Sequence, residues 1–135
     1  FSTCFGAPFM PLHPTKYAEM LSDKVGKTGI NVWLINTGWN GQKKRMSLKD
    51  TRAVINAALE GKLDNIDYKK DPFFGFEIPV SIEGVDSTKL DPANSFDSHE
   101  TYEENAKVLA AKFKANFKTF EEFASKELLA GGPVI

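Results

Sequence analysis

The chain has 135 residues, of which 41% are hydrophobic and 26% charged, which suits one domain with a buried core and is too apolar for a disordered chain. With 17 Lys+Arg against 18 Asp+Glu the formal charge is −1, so no global field draws it to nucleic acid or to an anionic membrane. Cys4 is the single cysteine, which excludes an internal disulfide and fits a reducing, cytoplasmic compartment; no apolar run is long enough to span a bilayer, and the start lacks a signal-peptide pattern.

The first dozen residues are small, aromatic and proline-bearing, as in a packed loop or a short extended segment. Pro14 suits the first helical position, where its missing N–H would have no partner. Tyr17, Met20, Leu21 and Lys24/Val25 then recur at helical spacing up to Gly26, and residues 27–29 read as a turn. From Ile30 to Ile35 five of six residues are apolar, the pattern of a strand buried on both faces. A polar loop, Asn36 to Gly41, and a basic triplet, Lys43, Lys44 and Arg45, lead to a helix capped by Ser47. Its expected inner face is Val54, Ile55, Ala58 and Leu59, with Gly61 ending it. Phe73 to Ile82 has strand-like content, but Pro79 restricts it to an edge or an extended arm. Ser98 can cap a third helix carrying the stripe Tyr102, Ala106, Leu109, Phe113 and Phe117. Thr119-Phe-Glu-Glu122 has the form of a capping box, which predicts a break there and a short last helix ending at Gly131-Gly132. No repeat or low-complexity tract interrupts what reads as an α/β unit.

Strand, basic loop and helix start, in that order, is how α/β proteins build anion and nucleotide sites at the carboxyl edge of a sheet. With Ser47 as N-cap, Met46 lies just outside the helix and Thr51 is its fourth residue, two positions that face each other across the first turn. Arg45 precedes them. Together they offer a flexible apolar wall, a hydroxyl and a planar cation, which suits a purine: its face tolerates a thioether and a guanidinium while its edge needs hydrogen bonds. The structural alternatives are plain: Met46 as a packing staple, Thr51 as an ordinary helix residue, Arg45 as a solvated cation.

The wording Asn36-Thr-Gly-Trp-Asn-Gly-Gln-Lys-Lys-Arg-Met-Ser-Leu-Lys-Asp-Thr-Arg52 resembles the ATP-dependent phosphoenolpyruvate carboxykinases, in which an N-T-G-W-N/T-G loop leads into K-R-M/I and a D-T-R or Y-T-R helix. Phe1-Ser-Thr-Cys-Phe-Gly-Ala-Pro-Phe9, Leu12-His-Pro-Thr15, Ile78-Pro79, Gly84-Val-Asp86 and Leu90-Asp-Pro92 are similar to further segments of that family, in order. The resemblance implies that residues 1–135 are the C-terminal segment of a mononucleotide-binding, kinase-like domain with helices packed on a mixed sheet. It implies an enzyme converting oxaloacetate and ATP to phosphoenolpyruvate, ADP and CO2 in gluconeogenesis, with ATP as a substrate and Mn²⁺ or Mg²⁺ as the metal. Arg45, Met46 and Thr51 then match its nucleotide ligands, and Phe9 matches an aromatic near the pyruvyl end of the site. Core packing is nevertheless the favoured reading of Phe9.

Family members are several times longer, so a piece of a longer chain is expected, and the start at Phe1 agrees. The phosphate loop G-x-x-x-x-G-K-[ST] appears nowhere in the sequence. The family's metal-holding lysine, histidine and aspartate match nothing here, so no catalytic residue and no metal ligand are assigned in this chain. Lys43 stands where short-loop members often have glycine, a loss of backbone freedom. Cys4 reads as a buried, inert thiol or, with less support, a reactive one; His13 as part of the helix entry; Trp39 as a packed anchor of its loop. Expected partners are ATP and, through other parts of the protein, oxaloacetate and phosphoenolpyruvate; neither nucleic acid nor membrane is expected. The alternative is a non-catalytic nucleotide-binding or interaction module that retains only this subdomain.

Overall fold

A computed structural model describes residues 6–135, so the expectations for Cys4 and for the segment before Gly6 lie outside the described residues. The chain divides into two compact units. One holds the described residues up to Trp33 together with Lys112–Gly132, and the other holds Leu34–Ala111 and Pro133–Ile135. No helix among the described residues is long and apolar enough to cross a membrane.

In the first unit a 3-10 turn, Ala7–Phe9, precedes α1, Pro14–Thr28. Pro14 opens α1 as expected, and His13 is the N-cap, its ring nitrogen accepting from the Thr15 N–H at 3.5 Å and pairing with the Thr15 hydroxyl at 2.8 Å. The ring of His13 packs against Phe123 and Phe120, with centroids 4.7 and 5.8 Å away. The helix runs past Gly26 into the expected turn, ending at Thr28. Thr28 donates its hydroxyl to the Lys24 carbonyl, and Gly29 supplies the left-handed residue (φ 64°) whose N–H closes on the Val25 carbonyl. Of the expected inner face, Tyr17 and Val25 are half-buried, while Met20 and Leu21 are exposed.

Residues 30–35 are the main departure from expectation. They belong to no strand, and Ile30, Val32, Leu34 and Ile35 are exposed, with Leu34 at 75%. An apolar strand is held by ladder partners on its edges and layers on both faces, and the described sheet lies elsewhere. That sheet is β1, Tyr68–Lys70, antiparallel to β2, Glu77–Pro79, in the register Tyr68 opposite Pro79 and Lys70 opposite Glu77. The combination of helices and strands is compatible with α/β, but a mixed sheet under packed helices is not what these residues form. Pro79 sits at the end of its strand in a two-stranded sheet, as its missing N–H requires.

In the second unit α2, Leu48–Leu59, buries Ala57 and half-buries Ala53, Val54 and Ala58. Ile55 and Leu59 were expected inside but are exposed, Leu59 at 81%. The core joins Phe73, Tyr102 and Ala106, flanked by Phe74, Ala93 and Phe96. Each large side chain removed from water there is worth about 2 kcal/mol. The Tyr102 hydroxyl donates to Asp71 at 3.0 Å, while the other Asp71 oxygen accepts from the Phe73 and Phe74 N–H groups at 2.9 and 2.6 Å. Burial first, then this carboxylate, pushes the Tyr102 phenol well above its ordinary range.

Helix α3, His99–Phe117, starts where Ser98 was expected to cap it, the Ser98 hydroxyl accepting from the Thr101 N–H at 3.2 Å. Its buried stripe is Tyr102, Ala106 and Ala110, the last fully buried, rather than one through Leu109 and Phe113, both exposed. Residues 112–117 of α3 belong to the first unit. The break near Thr119 occurs, but Thr119 donates to the Asn116 carbonyl instead of capping. The last helix, α4, Lys126–Ala130, is capped by Ser125 and followed by Gly131.

Candidate functional site

The loop after residue 35 is a hairpin. Asn36 Oδ1 accepts from the Gly38 N–H at 2.8 Å, Trp39 and Arg45 pair as antiparallel bridge partners, and the Met46 N–H donates to the Gly38 carbonyl at 3.3 Å. At the tip, Asn40 and Lys44 close a three-residue turn. The Asn40 N–H donates to the Lys44 carbonyl and the Lys43 N–H to the Asn40 carbonyl, both at 2.9 Å, while the Asn40 side chain accepts from the Lys44 N–H at 2.8 Å. A three-residue hairpin loop ends on a left-handed residue, and here that residue is Lys43, with φ 57°. Backbone of this kind favours glycine, so the substitution noted in the sequence falls on the position that bears the strain.

The tip rests on the 3-10 turn Pro92–Ser95 and its neighbour Phe96. The Gly41 N–H donates to Ser95 Oγ at 2.9 Å, and Ser95 Oγ donates to the Pro92 carbonyl at 2.8 Å. A Cβ on Gly41 would lie 2.6 Å from the Phe96 ring, so only glycine allows this approach. Phe96 in turn packs on Tyr102, with ring centroids 5.6 Å apart.

The cross-strand pairing brings the Arg45 guanidinium over the Trp39 ring, 5.7 Å from its centroid. Trp39 is 68% exposed, which corrects the expectation of a packed anchor: the indole is a platform for the arginine. Met46 is half-buried and stands immediately before the N-cap. Ser47 caps α2 as expected, its hydroxyl accepting from the Asp50 N–H at 3.0 Å and donating to the Asp50 carboxylate at 2.8 Å. Lys89, from the 3-10 turn Ser87–Lys89, donates to the same carboxylate oxygen at 2.8 Å. The hydrogen bonds from Lys89 and then Ser47 hold the buried Asp50 carboxyl below its usual range, and Asp50 raises Lys89 in return. Thr51, half-buried, makes the first helical bond, to the Ser47 carbonyl at 2.9 Å.

Arg45, Met46 and Thr51 therefore lie together in the second unit, on the descending arm of the hairpin and the first turn of α2. Phe9 belongs to the first unit and is 87% exposed, which removes it from the core. Two grooves mark the second unit. One, of about 180 Å³, includes Lys69, Asp91 and Asn94; the other, of about 560 Å³, runs along Ala53 and Ala57 of α2 and the following Glu60, beside Ile82. Neither contains the three candidate residues, of which Arg45 is exposed and Met46 and Thr51 are half-buried. Ser95, Phe96 and Lys89 were not singled out from the sequence. Each acts on a segment 39 or more residues away, which no local pattern reveals. Among the described residues no group of three or more His, Cys, Asp or Glu is arranged to hold a metal ion.

The family model for phosphoenolpyruvate carboxykinase matches residues 1–88. Among curated relatives, the chain is 53% identical over 138 residues to phosphoenolpyruvate carboxykinase (ATP) of Christiangramia forsetii, 55% over 138 to that of Flavobacterium johnsoniae, and 46% over 140 to that of Novosphingobium aromaticivorans. Each comparison covers 99% of this chain and 26% of the relative, so the chain spans about a quarter of the length of the proteins it matches. With the match running through the hairpin and the start of α2, the chain belongs to the phosphoenolpyruvate carboxykinase family.

Proposed function

We propose that this segment serves as the C-terminal part of the nucleotide-binding, kinase-like domain of an ATP-dependent phosphoenolpyruvate carboxykinase, and that it supplies the wall against the adenine of ATP. The observation that carries the reading is the Arg45 guanidinium held over Trp39 directly before the α2 start that bears Met46 and Thr51. A purine on the opposite face of the guanidinium would meet a thioether on one side and a threonine hydroxyl near its edge. Phe9 would add an apolar wall near the pyruvyl end, where exclusion of water shelters an enolate.

The whole enzyme would decarboxylate oxaloacetate to the enolate of pyruvate and CO2, and the enolate oxygen would then take the γ-phosphoryl group of ATP, leaving ADP. A divalent cation, Mn²⁺ or Mg²⁺, neutralises phosphoryl charge in such transfers. The family's metal-holding lysine, histidine and aspartate match nothing in this sequence, so the ligands are assigned to the part of the enzyme that this segment does not cover.

The test is ATP affinity in the full-length enzyme. Thr51→Val should weaken ATP by about 1 kcal/mol, the worth of one neutral hydrogen bond, and leave oxaloacetate binding unchanged. Arg45→Lys and Arg45→Gln should lose comparable affinity, about 1–2 kcal/mol, at both low and high salt, because an ammonium does not reproduce a planar stacking surface. A near-wild-type Lys variant with a Gln defect that fades in salt would make Arg45 a diffuse charge and remove it from the base wall.

A further inference from the structure

Arg45 owes its place to a hairpin of nine residues, and a short hairpin is not stable alone in water. Two contacts from outside the hairpin act on its tip. Ser95 Oγ accepts from the Gly41 N–H at 2.9 Å while donating to the Pro92 carbonyl, so the hydroxyl joins the tip to the 3-10 turn with both of its roles used. The Phe96 ring fills the space a Gly41 side chain would take and is itself seated on Tyr102, whose hydroxyl is held by Asp71. A chain of direct contacts thus runs from the core of the second unit to the hairpin. Tip and arms are coupled through the Asn40–Lys44 closure and the Trp39–Arg45 pair.

We infer that Ser95 and Phe96 are positioning residues for the nucleotide: by clamping the tip at Gly41 they hold the hairpin in the pose that presents Arg45 to the base. This rests on the reading of Arg45 as a base contact. The clamp touches no substrate itself, so its loss should lower ATP affinity without changing the oxaloacetate KM.

The experiment is a double-mutant cycle in the full-length enzyme, with ATP binding by calorimetry and amide exchange across residues 38–46. Ser95→Ala should weaken ATP about fivefold, the effect of one hydrogen bond, and speed exchange at Gly41 and Lys44. Ser95→Thr, which keeps the hydroxyl, should restore both. Placed on Arg45→Gln, Ser95→Ala should cost nothing further, since the two changes act through one contact. Gly41→Ala, whose new Cβ meets the Phe96 ring and forces tip and ring apart, should weaken ATP by a similar factor; this variant decides the matter if Ser95→Ala is poorly folded. Wild-type ATP binding in Ser95→Ala and Gly41→Ala overturns the clamp, as does a Ser95→Ala loss that persists undiminished beside Arg45→Gln. If Arg45→Gln alone leaves ATP affinity intact, the base-wall reading falls and the clamp with it.

Discussion

Lys43 shows how far a single residue's backbone state constrains the candidate site. It closes the hairpin turn at φ 57°, a conformation that costs a residue with a Cβ about 1–2 kcal/mol. Glycine would remove that cost but lose more entropy on folding, about 0.5–1 kcal/mol. Lys43→Gly should therefore leave the full-length protein more stable by about 0.5–1 kcal/mol, read as a higher urea midpoint at unchanged m-value. A lower midpoint would mean that the lysine side chain contributes more than its backbone costs. Gly41 is the opposite case. There the missing Cβ matters for space rather than dihedral angle, because the Phe96 ring occupies it.

Among the elements, α2 carries the site and depends on its first turn. Ser47, Asp50 and Lys89 form one network in which a carboxylate near the helix N-terminus also accepts from an ammonium 39 residues away. Because the folded-state pKa of Asp50 lies below its unfolded value, the folded state binds fewer protons in acid than the unfolded one. The stabilisation is whole above about pH 4, the ordinary aspartate value, and is lost as pH falls through the depressed folded pKa. Asp50→Asn should flatten that acid limb, so the melting-temperature gap between wild type and variant should shrink from pH 6 toward pH 3. A gap that stays constant would show that Asp50 is not held in its charged form. Helix α3 shows a different sensitivity: its buried stripe is Tyr102, Ala106 and Ala110. That left Leu109 and Phe113, the larger candidates, exposed.

For the whole molecule, the proposed role assigns this chain part of a nucleotide site and none of the phosphoryl-transfer machinery. The sequence contains no G-x-x-x-x-G-K-[ST] loop and covers about a quarter of the curated relatives. The 135-residue chain alone should therefore give no phosphoenolpyruvate-forming activity, because the γ-phosphoryl group is neither oriented nor neutralised. The measurement is a coupled assay of the purified chain with ATP, Mn²⁺ and oxaloacetate; turnover proportional to chain concentration would contradict the assignment.

Local signals determined the helices and the family. Pro14, Ser47, Ser98 and Gly131 mark helix ends through hydrogen bonds and dihedral limits that act within a few residues, and each appears at or beside the end it predicts. The wording from Asn36 to Arg52 sufficed to identify the family and to bring Arg45, Met46 and Thr51 together, since all three lie within seven consecutive residues. Tertiary structure alone decided what depends on distant neighbours. Residues 30–35 have the composition of a central strand, yet strand formation needs partners that composition cannot supply. Trp39 is an exposed platform for Arg45 because the hairpin register sets them opposite each other. Lys89 on Asp50 and Ser95 on Gly41 join segments 39 and 54 residues apart, contacts fixed by the path of the chain through space rather than by any spacing along it.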